Sequence, residues 1–515
     1  MLKQATLTCG AFAVLGLFIA ETTGAAVVSV QTHRQRGLVA GRDAKLSPAL
    51  AATKDADGIL KGSDDAGRAV IAVQAETSIA ALKTSAAVEK IVEDAPDTWT
   101  PVKTLKVSYE GKNRPTDGEL KALGVTLIED YKKGSFMIVE PVDKEIDASL
   151  ATRLEENDKI SYIAPSFNIQ AIPPTNVETP AAEPPQVVKP PTTDPLWGNL
   201  WGMRNIRAEI AWRVVRDSEV VVAVIDTGVD HKHEDLNKNM WNGPKGTHGY
   251  DFVENDADPM DLNGHGTHCA GTVGAVGNNA IGVVGVNWKV QIMALRWMDA
   301  GGRGQVADAI KCIDFAVENG AQVLSNSWFW IEDDPDLEAA VVRAEEAGVL
   351  FVAAAGNFAQ RQNNNNGDND KPNTYGRIPS AYPQENIIAV AAVNEGEDLA
   401  PFSEWGKKSV DLGAPGVLVL STVPNNRYDG SFSGTSMATP HVAGAAALAI
   451  AGGIPSNQVK KQLLGNVRKL DALKDRCVSN GTLDVSFLSK IPAPAPGNRR
   501  KERKEPVPND EAPKD

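Results

Sequence analysis

The segment DLNGHGTHCAG, residues 261–271, contains two histidines three positions apart, with a cysteine directly after the second. Imidazole and thiol groups are common ligands of metal ions, and an imidazole is also the usual general base of a hydrolase. Closely spaced glycines and histidines also occur in tightly packed turns that carry no chemistry. The segment therefore indicates a metal site, a catalytic base or a packed turn.

Three further polar residues follow apolar runs or lie in glycine-rich turns. Asp226 ends EVVVAVID, Asn357 ends VLFVAAAGN, and Ser436 lies in SFSGTSMATPHVAG, where the turn leads into a long apolar segment. Acid, histidine and serine in this chain order can form a charge-oriented serine nucleophile. The imidazole takes the serine proton, and a buried carboxylate fixes the imidazole tautomer. Asn357 and the helix N-terminus at Ser436 could then stabilise the negative charge that develops on oxygen.

The elements that carry these residues show a regular alternation. Near-continuous apolar runs such as EVVVAVID, AQVLSNSW and NIIAVAAV are separated by amphipathic stretches that end at Gly320 and Gly348. Uninterrupted apolar strands alternating with helices predict an α/β fold with a mostly parallel sheet covered on both faces. Function in such sheets gathers where the strands end, which is where these polar residues lie.

Four segments, VVVAVIDTGVD, NGHGTHCAGTV, VAAAGN and SGTSMATPHVAG, resemble in order and approximate separation the signature blocks of subtilisin-like serine proteases. GYDFVENDADP, DPLWGNLWGM and the cysteine after the second histidine are most similar to the thermitase branch. The resemblance covers residues 194–490 and implies a three-layer subtilisin-like fold. It implies a triad of Asp226, His265 and Ser436, with Asn357 as a catalytic oxyanion donor.

The same resemblance decides among the interpretations of the opening segment. It assigns the first histidine as the catalytic base, His268 as a buried structural residue and Cys269 as a small buried residue beneath the active site. A zinc site would need further ligands at suitable spacing, for which His231 and His233 are the candidates. We therefore expect no zinc here.

The resemblance also implies a substrate-binding cleft, in which the substrate lies as an added strand against two protein segments. Phe329 stands where the family usually has glycine, beside the pocket for the side chain that precedes the scissile bond. Trp328 has core packing as an equally weighted alternative, and the apolar wall at residues 353–356 favours apolar or aromatic substrate side chains. The predicted substrate-binding residues are Gly302, Arg303, Gly304, Ser327, Trp328, Phe329, Ala354 and Gly356.

Structural Ca²⁺ is the one cofactor that the resemblance implies, at one or two sites, and we expect no organic cofactor. Calcium requires several hard oxygen ligands at one point. The predicted ligands of the first site are Asp194, Asp235 and Asn279 with the backbone carbonyls of Val276, Ile281 and Val283. A second site is predicted at Asp251, Asp256 and Asp258, with a solvated acidic loop as the alternative.

Composition divides the 515 residues into segments of different character. A net charge of -14 argues against nucleic-acid binding, which needs a basic face. We expect a small α+β module of βαββαβ order, similar to the family's inhibitory propeptide, ahead of the peptidase domain. The predicted segments are a signal peptide (1–25), a low-complexity pro-region with little fixed structure (26–98), the propeptide domain (99–172), a proline-rich linker with the processing site (173–193), the peptidase domain (194–490) and a disordered charged tail (491–515).

The sequence thus predicts a secreted, monomeric serine endopeptidase that is made as a zymogen and processes itself. Its expected partners are protein and peptide substrates and its own propeptide, which acts as inhibitor and folding chaperone, with no nucleic acid and no stable membrane anchor. A catalytically silent binding protein and an esterase are the alternatives. Asn480 begins one glycosylation sequon, and a disulfide between Cys312 and Cys477 is left open.

Overall fold

The computed structural model describes residues 104–143, 146, 148–165, 190–329, 334–359, 367–371 and 378–491, with the backbone of short strands in 17–93 and 168–170. The predicted signal peptide, most of the linker and the charged tail therefore lie outside the described residues, apart from a two-residue strand. The chain forms two compact units. The first comprises Met1–Ile169, Gln305–Ala307 and Ile331–Asp336, and the second comprises Gln170–Gly304, Asp308–Trp330 and Leu337–Asp515.

The first unit contains a four-stranded antiparallel sheet in the strand order β10-β7-β9-β8, with two helices. Along the chain the elements follow the predicted βαββαβ order. Thr116 and Glu119 form a reciprocal capping box that starts the first helix, and Gly124 ends it with a φ of 95°. The elements are β7 (Leu105–Tyr109), α1 (Asp117–Leu123), β8 (Val125–Tyr131), β9 (Phe136–Pro141), α2 (Ala148–Glu155) and β10 (Ile160–Pro165).

The N-terminal part of the first unit differs from the sequence prediction of little fixed structure. Six short strands form a second sheet in the order β1-β6-β2-β3-β5-β4. Runs such as AVVSVQ and AVIAV are rich in valine, which favours extended backbone, although the composition around them is polar and low in aromatics. The strands are β1 (Leu17–Phe18), β2 (Ala26–Gln31), β3 (Gln35–Val39), β4 (Ile59–Ser63), β5 (Ala69–Val73) and β6 (Val88–Glu93).

The second unit is built on a nine-stranded sheet in the order β13-β14-β12-β16-β17-β18-β19-β23-β22. Every neighbouring pair is parallel except β22 and β23, as the apolar runs predict. The strands are β12 (Asp217–Asp226), β13 (Gly249–Asp251), β14 (Lys289–Arg296), β16 (Val323–Asn326), β17 (Leu350–Ala354), β18 (Ile387–Val393), β19 (Leu412–Pro415), β22 (Arg468–Lys469) and β23 (Gly481–Thr482).

Helices and a hairpin complete this unit and supply the predicted α/β layers. Gly320 and Gly348, which follow the ends of two helices, have φ values of 78° and 72°. These values suit the left-handed residue at a helix end. The helices are α3 (Trp201–Asn205), α4 (Ala208–Ala211), α5 (His265–Gly274), α6 (Val306–Glu318), α7 (Pro335–Glu346), α8 (Thr435–Ala451) and α9 (Ser456–Gly465). The remaining strands are β11 (Asn168–Gln170), β15 (Arg303–Gln305) and the antiparallel pair β20 (Val419–Val423) and β21 (Arg427–Phe432).

Helix α8 lies at the centre of the second unit's core. Its residues Thr435 to Ala449 are all buried, and its apolar side chains share one cluster with β12, β17 and β18. Burial on all sides removes the usual polar stripe of a surface helix. The helix therefore holds the serine at its N-terminus on a rigid support at one edge of the sheet.

No single helix among the described residues is both long and apolar enough to cross a membrane. Helices α8 and α9 meet the length and composition requirement only as a pair, and that pair is bent by 119°.

Candidate active site

Asp226 and His265 meet in a buried ion pair between strand and helix. Asp226 is the last residue of β12, and His265 is the first residue of α5. His265 Nδ1 lies 2.8 Å from Asp226 Oδ1, while the two residues are 2% and 0% exposed. Asp226 Oδ1 also accepts a hydrogen bond from the Thr227 backbone N–H at 2.7 Å. The carboxylate therefore fixes the orientation of the imidazole, whose Nε2 is buried without a hydrogen-bond partner in the structure.

Asp261 holds the start of α5, and sequence reasoning missed it although it lies in the quoted segment. Its buried carboxylate accepts backbone N–H groups from Asn263, Gly264 and Thr267 at 2.9 Å each and hydroxyl groups from Thr227 and Thr267. An aspartate close ahead of a helix is the signal that could have revealed it. This carboxylate orders the turn from which the His265 imidazole projects.

Ser436 is the second residue of α8 and is fully buried. Its Oγ donates a hydrogen bond to the Ser327 carbonyl at 2.9 Å, so the structure shows this rotamer rather than a hydrogen bond to His265 Nε2. Ser327 Oγ in turn donates to the Ser436 carbonyl at 2.9 Å. Catalytic hydrogen bonds are often long or unformed without substrate.

Asn357 and Ser436 place two hydrogen-bond donors beside one small space. The Asn357 side-chain oxygen accepts from the backbone N–H and the hydroxyl of Thr435, both at 2.9 Å, which leaves Nδ2 buried without a partner in the structure. A methyl group built on Gly434 would lie 2.9 Å from Asn357 Nδ2 and 3.5 Å from Ser436 N. An unpartnered buried donor is unfavourable unless a ligand atom uses it. The arrangement suits an oxyanion.

Electrostatics raise the pKa of His265 and keep the Cys269 thiol neutral. Burial alone lowers the pKa of His265, but the adjacent Asp226 carboxylate and its hydrogen bond outweigh burial, so the pKa is raised. Burial raises the pKa of the Cys269 thiol well above its usual value. Asp226, His265 and Cys269 are the one group of three close metal-ligating side chains among the described residues. Because His265 Nδ1 and Asp226 Oδ1 already contact each other at 2.8 Å, we assign this group to acid–base chemistry.

The second histidine of the opening segment is structural, as the sequence predicts. His268 Nε2 contacts the Val419 carbonyl at 2.8 Å, and its ring stacks on Phe432 with centroids 4.4 Å apart. Burial lowers its pKa to about 4. His233 is occupied elsewhere, since its Nε2 contacts the Arg427 carbonyl and its Nδ1 accepts the Asp235 backbone N–H. The nearby His233 is therefore engaged by backbone groups on both ring nitrogens.

A cleft of about 670 Å³ opens beside Gly264, at the start of the catalytic helix. Leu262 at its rim is 61% exposed, and Phe432 is half-buried in its wall. Sequence reasoning missed these two residues, because neither lies in a segment that it assigned to substrate. The cleft offers both polar and apolar surface beside Gly264.

The predicted substrate-binding residues fall into two groups in the structure. Gly302, Arg303 and Gly304 lie at a tight loop whose Asp299 N–H donates to the Arg303 carbonyl at 2.7 Å. A side chain on Gly304 would come within 2.1 Å of the Trp297 carbonyl, so only glycine fits there. Arg303 is exposed, and its Nε lies 4.0 Å from Asp299 Oδ2.

The other group lies at the ends of β16 and β17. Ala354 and Gly356 are buried, and the Gly356 N–H donates to Thr435 Oγ1 at 3.2 Å. Phe329 is half-buried and meets Phe358 edge to face, with centroids 5.1 Å apart. Phe329 lies two positions after Ser327 in sequence, and its partner Phe358 directly follows Asn357.

Trp328 is a core residue, which is the alternative that the sequence left at equal weight. Its side chain is fully buried, its Nε1 donates to the Ile225 carbonyl at 3.1 Å, and it packs edge to face on Trp297. A fully enclosed indole cannot contact a substrate. We correct its predicted role from substrate binding to support of the strand that ends at Asp226.

Three predicted ligands of the first calcium site, Asp194, Asp235 and Asn279, are linked by hydrogen bonds in the structure. Both oxygens of Asp194 accept backbone N–H groups of the loop, from Asn278 at 2.7 Å and Asn279 at 2.9 Å. Asp235 accepts the Asn279 side-chain amide at 2.7 Å and the Val283 N–H at 2.9 Å. Burial, with a smaller contribution from Asp194, raises the pKa of Asp235 to about 7. Two buried carboxylates beside an amide form a set of oxygen donors that fits Ca²⁺. Val276 and Ile281 lie in the same loop. The Val276 N–H donates to the Asp235 carbonyl, and the Ile281 N–H donates to Asn279 Oδ1.

The second predicted calcium site is not gathered in the structure. Asp251 is buried and forms an ion pair with Arg296, while Asp258 Oδ1 lies 2.7 Å from His231 Nε2. Asp256 accepts the backbone N–H of Asp258. The Arg296 guanidinium neutralises Asp251, which is the one buried carboxylate of the three. The spacing of the acidic residues in sequence did not reveal this ion pair.

The remaining sequence predictions concern cysteines and glycosylation. Cys269, Cys312 and Cys477 are all free and buried, so Cys312 and Cys477 do not pair. The side-chain oxygen of Asn480 accepts the Asp475 N–H at 2.7 Å, and Thr482 of the same sequon is buried. Glycosylation at Asn480 stays a prediction.

Comparisons with known proteins agree with this geometry. The family model described as "Subtilase family" matches residues 217–480. The chain is 36% identical over 347 residues to the thermophilic serine proteinase of Bacillus sp. (strain AK1), an alignment that covers 67% of this chain and 76% of that protein. It is 37% identical over 270 residues to thermitase of Thermoactinomyces vulgaris, covering 52% of this chain and 88% of thermitase.

A solved structure extends the comparison to the fold. Fervidolysin from Fervidobacterium pennivorans, described as a keratinolytic enzyme related to subtilisin, superposes with a TM-score of 0.64 at 25% sequence identity. The superposition covers 78% of this chain and 63% of the fervidolysin chain. The predicted resemblance to subtilases, and to thermitase among them, is confirmed. The chain belongs to the subtilase family and is a serine endopeptidase with a subtilisin-like fold.

Proposed function

We propose that the protein is a secreted, calcium-stabilised serine endopeptidase that is made as a zymogen and cuts peptide bonds with Asp226, His265 and Ser436. The observation that carries the proposal is the buried 2.8 Å contact between His265 Nδ1 and Asp226 Oδ1, close to a serine at a helix N-terminus. That contact leaves His265 Nε2 as the free basic nitrogen.

Acylation begins when Ser436 Oγ attacks the peptide carbonyl and His265 Nε2 takes the hydroxyl proton. Asp226 stabilises the resulting imidazolium without itself becoming protonated. His265 then gives the proton to the leaving amine, which breaks the peptide bond and leaves an acyl ester on Ser436. A water molecule, activated by the same imidazole, hydrolyses the ester.

The negative oxygen of each tetrahedral intermediate is stabilised by Asn357 Nδ2 and the Ser436 N–H. Asn357 is held in advance, because Thr435 occupies its side-chain oxygen through two hydrogen bonds. A donor that needs no reorganisation lowers the barrier most effectively.

The regulatory part of the proposal rests on the segment order of the chain. The βαββαβ module in residues 104–165 acts as an inhibitor and folding chaperone until the enzyme cuts its own chain within 170–193, and residues 1–25 direct secretion. Protein and peptide chains are the substrates, and we propose that the mature enzyme acts as a monomer.

Calcium has a structural role in the proposal. Asp194, Asp235 and Asn279, with the carbonyls of Val276, Ile281 and Val283, would hold the ion and tie the N-terminal segment to the loop after α5. A bound ion would offset the repulsion between the two carboxylates and stabilise the folded form by mass action.

Labelling with a fluorophosphonate tests the proposal directly. The secreted protein should react stoichiometrically at Ser436, and Ser436→Ala and Asp226→Asn should block or greatly slow the labelling. A silent binding protein with the same fold would not be labelled at all. An esterase would be labelled but would hydrolyse ester substrates while leaving matched peptide amides intact.

A further inference from the structure

A second pair of histidines, outside the catalytic centre, has the features of a metal site. His231 lies in the segment after β12, and His248 immediately precedes β13. Their ring centroids are 5.1 Å apart and the ring planes are inclined by 42°. We propose that His231 and His248 bind a divalent transition-metal ion such as Zn²⁺.

The separation of the two rings suits a shared ion. A zinc–nitrogen bond is about 2.0–2.1 Å long, so the centre of a bound imidazole lies roughly 3.2 Å from the metal. Two such rings at a tetrahedral angle then have centroids about 5 Å apart. The observed centroid separation of 5.1 Å agrees with this value.

The other nitrogen of each ring already has a hydrogen-bond partner. His248 Nδ1 lies 2.9 Å from the Trp241 carbonyl, which can only accept, so this nitrogen carries the proton and Nε2 has the free lone pair. His231 Nε2 lies 2.7 Å from Asp258 Oδ1, which likewise leaves Nδ1 as the free nitrogen. Metal-binding histidines usually donate their second N–H to a carbonyl or carboxylate in this way.

The backbone around the pair is tied down on both sides. The Ala294 N–H of β14 donates to the His248 carbonyl at 2.9 Å. The Val229 N–H donates to the Pro259 carbonyl at 2.9 Å, which joins the segment of His231 to the segment of Asp258. The His231 side chain is 12% exposed and His248 is half-buried, so an ion can reach them from solvent. Water would complete the coordination.

Calorimetric titration with Zn²⁺ tests the proposal in the calcium-loaded full-length chain carrying Ser436→Ala, which prevents self-digestion. One equivalent should bind and raise the melting temperature. His231→Gln and His248→Gln should each weaken binding at least 100-fold, and Asp258→Asn by about 10–100-fold, as expected when a carboxylate supporting a ligand is lost. Lys232→Gln, next to His231 and exposed, is the matched control and should bind as the parent does.

Cobalt substitution distinguishes this pair from the buried thiol beside His265. Co²⁺ held by imidazoles and water gives visible absorption without a thiolate charge-transfer band. Unchanged Zn²⁺ affinity in both glutamine variants, or a thiolate band that disappears in Cys269→Ala, would overturn the proposal. If one glutamine variant does not fold, as judged by circular dichroism, the other and Asp258→Asn still decide. No outcome depends on proteolytic activity.

Discussion

His265 Nδ1 and Asp226 Oδ1 lie 2.8 Å apart although 39 positions separate the two residues in sequence. A parallel strand ends at one of them and a helix begins at the other, so the contact depends on the junction of two elements.

Asp226→Asn should lower kcat by about 10⁴ while changing KM little, because an amide would stabilise the wrong imidazole tautomer. Peptide hydrolysis kinetics measure the effect. The unfolding midpoint of the variant should stay near that of the parent, since the side chain keeps its shape. A loss of less than tenfold in kcat would contradict the assigned role of the carboxylate.

Asn357→Ala should lower kcat by roughly 10²–10³ with KM little changed, because one preformed oxyanion donor is lost. Asn237→Ala, at an exposed asparagine in the same unit, serves as the control and should keep full activity. An increase in KM with unchanged kcat in Asn357→Ala would show that the side chain binds substrate in the ground state instead.

Activity should fall on acidification as His265 becomes protonated, because only the neutral imidazole can accept the Ser436 proton. Asp226 raises the pKa of His265, so the loss should begin at a higher pH than for an ordinary histidine. The pH profile of kcat/KM checks this. Asp226→Asn should move the inflection of the residual activity to lower pH, and an unmoved inflection would assign the titration to another group.

The contribution of His268 and His441 to folding stability should fall as the pH is lowered from 6.5 to 4, whether or not the enzyme is active. Burial lowers the pKa of His268 and of His441 to about 4, so the unfolded chain binds more protons than the folded one in this range. The contribution of these two histidines to stability therefore rises with pH there and is complete above the unfolded pKa, with up to about 3 kcal/mol from each. Urea unfolding of Ser436→Ala at several pH values measures the slope. A smaller slope in His441→Gln is expected, and an equal slope would remove His441 from the account.

Removal of Ca²⁺ should lower the melting temperature by about 5–10 °C, as expected for the loss of a few kcal/mol in a unit of this size. Excess EDTA, followed by re-addition of Ca²⁺, measures the effect. Asp235→Asn should reduce the response to Ca²⁺, whereas Asp256→Asn, in the acidic loop that the structure does not gather, should leave it unchanged. A melting temperature insensitive to EDTA would exclude a tight site.

Ser436→Ala should accumulate as the uncut precursor, because the proposed cut within 170–193 needs the enzyme's own nucleophile. Mass spectrometry of the purified chain identifies the ends. A catalytically active enzyme added in trace amount should restore cutting if the linker is accessible. Normal maturation of Ser436→Ala alone would assign processing to a different protease.

Local chemistry made much of the fold predictable. Apolar runs required a parallel sheet because strands covered on both faces exclude polar residues. Thr116 with Glu119 set one helix start, and Gly320 and Gly348 set two helix ends, through backbone rules that act within a few residues. The valine-rich strands before residue 99 were not predicted, because the polar composition around them suggested a chain without a core.

The sequence by itself determined the family, the sheet and the residue types of the triad, because short motifs and periodicity are encoded locally. Only the tertiary structure showed that Trp328 is sealed in the core, that Arg296 neutralises Asp251, and that Asp261 anchors the catalytic helix. It alone brought His231 beside His248. These contacts depend on which segments the fold places side by side. The spacing of residues along the chain does not indicate how far apart those segments lie in space.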